Sequence, residues 1–196
     1  MEKIIQEIPT LTEKLSNPNL MQKSWVVTLS GHRFSILKPD PDQVFLEDIA
    51  CSLARQARFN GHTRFFYSVG QHCCLGAQVS PTKDIGLQML FHDATEAYIG
   101  DLVSPVKALL PDFEVIESRI HWAISQKFGI EFPMPKVVKQ IDRRLLATEV
   151  RDLITKDLAS WNIGADEPYD FPIIPWPPEV TEARFLDLAR SMGIRG

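Results

Sequence analysis

A chain of 196 residues with 44% apolar and 23% charged residues is long enough for one domain with a substantial core, and its balance is that of an ordinary soluble globular protein. A net charge of -4 excludes a general nucleic-acid binder, which needs a basic face to meet phosphates. Cys51, Cys73 and Cys74 form no CxxC pair and read as small buried residues, and neither a signal-peptide core nor an apolar run of membrane-spanning length is present. A cytoplasmic, reduced protein without a membrane span is expected.

Residues 1–23 are polar and broken by Pro9 and Pro18, which predicts an arm or a short helix. From Ser24 to Leu37 apolar residues alternate weakly around Ser30-Gly31, the pattern of a small β-hairpin, and Pro39 and Pro41 end it. From Val44 the helical period takes over, with Phe45, Ile49, Leu53 and Ala57 near one face and a break at Asn60-Gly61. Further helices are predicted near 67–79, 83–98, 112–128, 134–157 and 180–192. Between Ala159 and Pro178 five prolines are interspersed with Tyr169, Phe171, Ile173, Ile174 and Trp176. That segment cannot be helical but can lie over an apolar surface as a strap. The expected architecture is a single all-α domain over 1–196: arm and hairpin in 1–43, a helical metal-binding core in 44–158, strap and final helix in 159–196.

The apolar run Ile85–Phe91 leads directly into His92-Asp93, with Glu96 one helical turn beyond His92. Alone, the dipeptide is compatible with two surface residues. Two further positions favour ligation. His72 lies in the helix predicted over 67–79, and Asp142 follows Ile141 at the edge of an apolar stripe formed by Val138, Ile141, Leu145 and Leu146. A carboxylate there needs a partner, because burying a charge alone is costly. His72, His92, Asp93 and Asp142 make a His…His-Asp…Asp pattern on three helices, and mixed imidazole and carboxylate donors suit a transition-metal ion that activates water.

This pattern resembles the HD-domain superfamily of metal-dependent phosphohydrolases, and it is closest to the 5'-deoxynucleotidase branch. In that branch a glutamate follows the His-Asp pair and a Gly-Asp comes soon after, as Glu96 and Gly100-Asp101 do here, with Pro105-Val106-Lys107 beyond. An arginine and a bulky aromatic precede the first histidine, as Arg58-Phe59 does, with Phe59 where relatives often have tryptophan. The resemblance implies an HD-type helical bundle binding one divalent ion (manganese, cobalt, iron or zinc) through His72, His92, Asp93 and Asp142. It also implies that Glu96, assisted by Asp101, positions or deprotonates the attacking water. Arg58 would bind phosphate, and Phe59 would pack on the sugar and leave no room for a 2'-hydroxyl. Lys107 is a further phosphate candidate, and His62 lies in the loop expected to face the substrate.

The substrate expected on this basis is a deoxynucleoside 5'-monophosphate, and the resemblance implies a homo-oligomer. A deoxynucleoside triphosphate hydrolase of the same fold is the near alternative. A non-catalytic nucleotide-binding module of the same fold would show a degraded ligand set. His32 and His121 read as structural or solvated, and Lys139, Arg143, Arg144, Glu149 and Asp152 read as a mixed-charge helix face.

Overall fold

The structure, a computed structural model, describes residues 11–155 and 167–195. The first ten residues of the predicted arm, the end of the helix predicted over 134–157 and the start of the strap lie outside the described residues. The arm forms two short helices, α1 (Leu11–Ser16) and α2 (Pro18–Lys23). Pro18 opens α2 and the Asn17 side chain caps it, accepting from the amides of Asn19 and Leu20. The predicted hairpin is present: β1 (Trp25–Val27) pairs antiparallel with β2 (Arg33–Ser35), Val26 opposite Phe34. Buried Asp48 fixes its turn, accepting from the Ser30 amide at 2.8 Å and hydroxyl at 2.7 Å.

The bundle is built around α4 (Val69–Gln78), which packs against α3 (Leu46–Arg55), α5 (Lys83–Phe91), α9 (Lys136–Glu149) and α10 (Pro178–Ser191). Small residues make this central position possible. A Cβ on Gly70 would stand 3.0 Å from the Ala54 amide nitrogen and the Leu53 carbonyl carbon of α3. Ser68 caps α4 and Thr82 caps α5, each accepting from the amide three residues on. The core they enclose includes Phe34, Ile49, Leu53, Met89, Leu90, Phe91, Ile124 and Phe185. The long α8 (Pro111–Phe128) opens with proline and stops at Gly129, whose φ of 65° is left-handed. Among the described residues the chain is mostly helical with one hairpin, as expected, and no helix is long and apolar enough to cross a membrane.

Three expectations need correction. The helix read over 83–98 is two: α5 ends at Phe91, residues 92–95 form tight turns, and α6 (Glu96–Ile99) follows. The Ala94 amide bonds the Phe91 carbonyl and the Glu96 amide bonds the Asp93 carbonyl, both three residues apart instead of four. Apolar periodicity runs through this break because no glycine or proline marks it. The helix read over 134–157 ends as α9 at Glu149 and continues as a π-helical turn over Val150–Ile154. A four-residue helix, α7 (Ser104–Lys107), was not anticipated.

The described part of the strap is fastened as an ordered segment. The amides of Tyr169, Ile173 and Trp176 donate to the side chains of Thr148, Asp152 and Gln71, while Arg151 donates to the carbonyls of Tyr169 and Phe171. Asp152 therefore anchors the strap and is not part of a solvated face.

Gly70→Ala puts two effects in opposition. Alanine favours a helix interior over glycine by about 1 kcal/mol, but the contacts at 3.0 Å are with the backbone of α3, which cannot yield as a side chain would. Overpacking of this kind costs about 1–3 kcal/mol. The variant is expected to unfold at lower denaturant concentration than the wild type, read by circular dichroism in urea.

Candidate metal centre

The four predicted ligands gather in one cluster, with His72, His92 and Asp142 closest together. α4 carries His72 into the interior, where it is fully buried, the end of α5 and its tight turn present His92 and Asp93, and α9 brings Asp142 from the other side. Nε2 of His72 lies 3.1 Å from Nε2 of His92, 3.1 Å from Oδ1 of Asp142 and 3.8 Å from Oδ2 of Asp93. Nε2 of His92 lies 3.2 Å from Asp93 Oδ2 and 3.8 Å from Asp142 Oδ1. Two ligands each ~2.1 Å from one ion stand about 3.0 Å apart at a right angle and about 3.4 Å apart at the tetrahedral angle. These spacings fit one cation held by His72, His92 and Asp142, whose ligand atoms all lie within 4.8 Å of one another, while Asp93 stands beside the two histidines outside that group.

The donor chemistry supports the same conclusion. Nδ1 of His92 contacts the Met89 carbonyl at 2.7 Å, and Nδ1 of His72 contacts Oε1 of Glu149. Each neutral ring therefore keeps its hydrogen on Nδ1 and turns a bare Nε2 toward the centre. Four acceptors then face one another with no donor among them. Only protons or a metal ion can hold such a set together.

Glu149 is the residue that sequence reasoning placed wrongly. It is fully buried, accepts from the Tyr67 hydroxyl at 2.8 Å as well as bonding His72, and its Oε2 is 3.2 Å from NH2 of Arg58 without hydrogen-bond alignment. Arg58 NH1 reaches Asp93 Oδ2 at 3.3 Å. The guanidinium thus joins one centre carboxylate to the carboxylate that orients the first histidine. The usable signal was spacing: Glu149 follows Asp142 by seven residues, two turns along one face of α9.

These contacts set the protonation of the cluster. Burial opposes charging His92, but Asp93 and Asp142 outweigh it and raise its pKa well above the ordinary value. Burial and Arg58 oppose charging His72, but Glu149 and Asp142 outweigh them and raise it as well. Burial would raise the carboxyls of Asp93 and Asp142, yet the two imidazoles hold both far below the usual range. Glu96 goes the other way: burial first, then the charges of Asp93 and Asp101, push its carboxyl up to about 9.

Beside the centre opens a chamber of about 690 Å³, within the range of small-molecule sites. All the predicted substrate and catalytic residues line it: Arg58, Phe59, His62, Glu96, Asp101 and Lys107. Phe59 and Asn60 hold positive φ of 55° and 51°, costly for non-glycine residues and concentrated at functional sites. Nε of Arg58 and Oε2 of Glu96 are buried without a hydrogen-bond partner. Lys107 is less free than expected, with Nζ 2.8 Å from Glu117 and 3.7 Å from Glu96. The tight turn also removes the α-helical ladder that the expected placement of Glu96 one turn after His92 relied on; Glu96 lines this chamber beside Asp93 and Asp142. His32 stacks on Phe45 at 4.5 Å and is structural.

Two outcomes are expected. His72 and His92 have raised folded-state values, so in the metal-free protein their bonds to Asp142 and Asp93 stabilise fully below about pH 6.5, and that stability is lost as pH rises through the raised values. A divalent ion replaces those protons, so its stabilising effect grows with pH. The rise in Tm on adding Mn²⁺ should be larger at pH 8 than at pH 6 by differential scanning fluorimetry; an equal or smaller rise contradicts proton-metal competition here. Glu149→Gln should weaken Mn²⁺ binding about 10–100-fold by calorimetric titration, the usual effect of losing a partner that orients a ligating histidine.

No known family model matches the chain. It is 39% identical over 166 residues to the uncharacterized protein YfdR of Escherichia coli strain K12, which covers 84% of this chain and 93% of that protein. It is 34% identical over 129 residues to an uncharacterized protein of Rhodobacter capsulatus, covering 61% of this chain and 66% of that one. Neither name states an activity. With an aligned region that spans nearly the whole of the E. coli protein, the chain belongs to the YfdR family.

Proposed function

We propose that the protein is an HD-type metal-dependent phosphohydrolase that converts deoxynucleoside 5'-monophosphates to deoxynucleosides and phosphate. The observation that supports this most is the cluster of two imidazole nitrogens and the Asp142 carboxylate, with Asp93 beside the histidines, at the wall of a nucleotide-sized chamber. His72, His92, Asp93 and Asp142 would hold one divalent manganese, cobalt, iron or zinc ion. Such an ion lowers the pKa of water and offsets charge on a phosphoryl group.

The remaining roles fall to the chain itself. Arg58 has two of its nitrogens facing Asp93 and Glu149, which leaves Nε to donate to a phosphate oxygen. Lys107 adds a second positive charge at the chamber wall. Glu96, with a bare buried Oε2, positions the attacking water and takes its proton in the ionised form, which the positive charge of a bound ion would favour against the raised value of the metal-free cluster. Half-buried Asp101 lies beside it. Phe59, fixed by its strained backbone next to Arg58, packs on the deoxyribose and excludes a 2'-hydroxyl. His62 is exposed at the rim, where a base would emerge. A cytoplasmic homo-oligomer completes the reading.

A panel of deoxy- and ribonucleoside mono-, di- and triphosphates with Mn²⁺ or Co²⁺ tests it by phosphate and nucleoside release. dAMP is expected to yield inorganic phosphate, with dAMP preferred over AMP. Asp93→Ala should lose both metal and turnover, whereas Glu96→Gln should keep the metal and lose about 10²–10⁴-fold in kcat. Tripolyphosphate from dATP would redirect the proposal to a triphosphate hydrolase. No turnover of any nucleotide would overturn it.

A further inference from the structure

A second chamber, of about 440 Å³, reaches the same centre. It shares Asp93, Asp142 and Lys107 with the first, and His92 also lines it. Its other walls are different: a polar stripe of α8 and the apolar residues Phe132, Met134 and Val138. On α8 the stripe is Glu114, Glu117, Ser118 and His121, spaced to lie on one helix face. A monoester of phosphate has one organic arm, and the first chamber is by itself large enough for it. The second chamber is thus left over by the reading given above.

Its chemistry points to a planar heterocycle. Nε2 of His121 is buried and has no hydrogen-bond partner, a deficit that native proteins seldom leave without a ligand or water. The His121 ring stands edge-on to Phe132, with centroids 5.4 Å apart and planes at 78°. Phe132 is 39% exposed, so part of its surface remains available for stacking. Burial lowers the pKa of His121, which keeps the ring neutral and able to pair with the edge of a base. Glu117 is paired with Lys107 at 2.8 Å and Lys139 also lines the chamber, so Glu114 is the α8 carboxylate left to accept from a ring amino group.

We propose that this chamber is a second subsite that takes a nucleobase on a second arm of the phosphate ester, with His121 hydrogen-bonding its edge and Phe132 stacking on its face. The substrate class then includes two-armed esters, the dinucleoside phosphodiesters. In their hydrolysis a water oxygen bonds phosphorus and the bond from phosphorus to one deoxyribose oxygen breaks. That oxygen gains the proton water gives up, leaving a nucleoside and a nucleotide with nothing oxidised. The arm in the first chamber meets Phe59 and Arg58, and the other meets His121 and Phe132.

The proposal rests on the phosphohydrolase reading of the centre, and one experiment separates the two. The Mn²⁺-loaded full chain, His121→Ala and Phe132→Leu are each given dAMP and the dinucleoside monophosphate d(ApA), with products read by chromatography. The wild type is expected to cleave both, and each variant to lose at least tenfold more kcat/KM on d(ApA) than on dAMP. Cleavage of dAMP without cleavage of d(ApA), or equal losses on both substrates in the variants, overturns the second subsite and leaves the monoesterase standing. Turnover of neither overturns both.

Discussion

The arrangement of the interior depends on one electrostatic constraint: acceptor atoms of two histidines and two aspartates gathered in one buried cluster. Asp93, Asp142 and Glu149 bring three negative charges into contact around His72 and His92, and Arg58 supplies one positive charge against them. Two negative charges are left, the charge a divalent cation balances. Without it the imidazoles must hold protons, which is why their pKa values are raised while those of the aspartates fall. Buried like charges at these separations would otherwise repel by several kcal/mol even in a moderately polarisable interior.

The fold is organised to impose that constraint. α4 must run through the middle of the bundle for His72 to be fully buried, and only small residues let it approach so closely: Gly70 against the backbone of α3, Gly76 against Met89 of α5. α5 must stop at Phe91 so that His92 and Asp93 leave the helical ladder, turning their side chains to the centre while Glu96 faces the chamber. The π-helical turn after Glu149 inserts one extra residue where α9 gives way to the strap, and such turns recur at functional sites.

The sequence made the periodic parts of this structure legible and hid the parts that break a period. α4, α8 and α10 have apolar stripes bounded by caps, prolines or glycine, and their predicted spans agree with the structure to within about two residues at most ends. The break at His92 carries no such mark, because tight turns of three-residue hydrogen bonds accept the same residues as an α-helix. At the centre, His72, His92, Asp93 and Asp142 could be found because a charged or ligating group in an apolar run is unusual. Glu149 could not be found by that rule, since Arg143, Arg144 and Asp152 around it make a solvated face the simpler account. Its seven-residue spacing from Asp142 puts it on the same face of α9, and tertiary contact with Tyr67 and Arg58, arriving from a distant segment, is what buries it there.

The neighbourhood of His92 also bears on which ions suit the centre. Cys73 is buried with Sγ 3.9 Å from Nδ1 of His92, and with Asp93 it forms a rival three-residue cluster. Nδ1 of His92, the nitrogen that Sγ contacts, is already held by the Met89 carbonyl. Burial raises the Cys73 thiol above its ordinary pKa, and a thiol binds metal as the thiolate. In the metal-free cluster the sulfur stays protonated against the edge of the ring and fills space next to the histidine. Under the proposed reading a set of two nitrogens and two oxygens would remove the advantage soft thiolate sites give to zinc and copper(I) and would suit manganese, iron and cobalt.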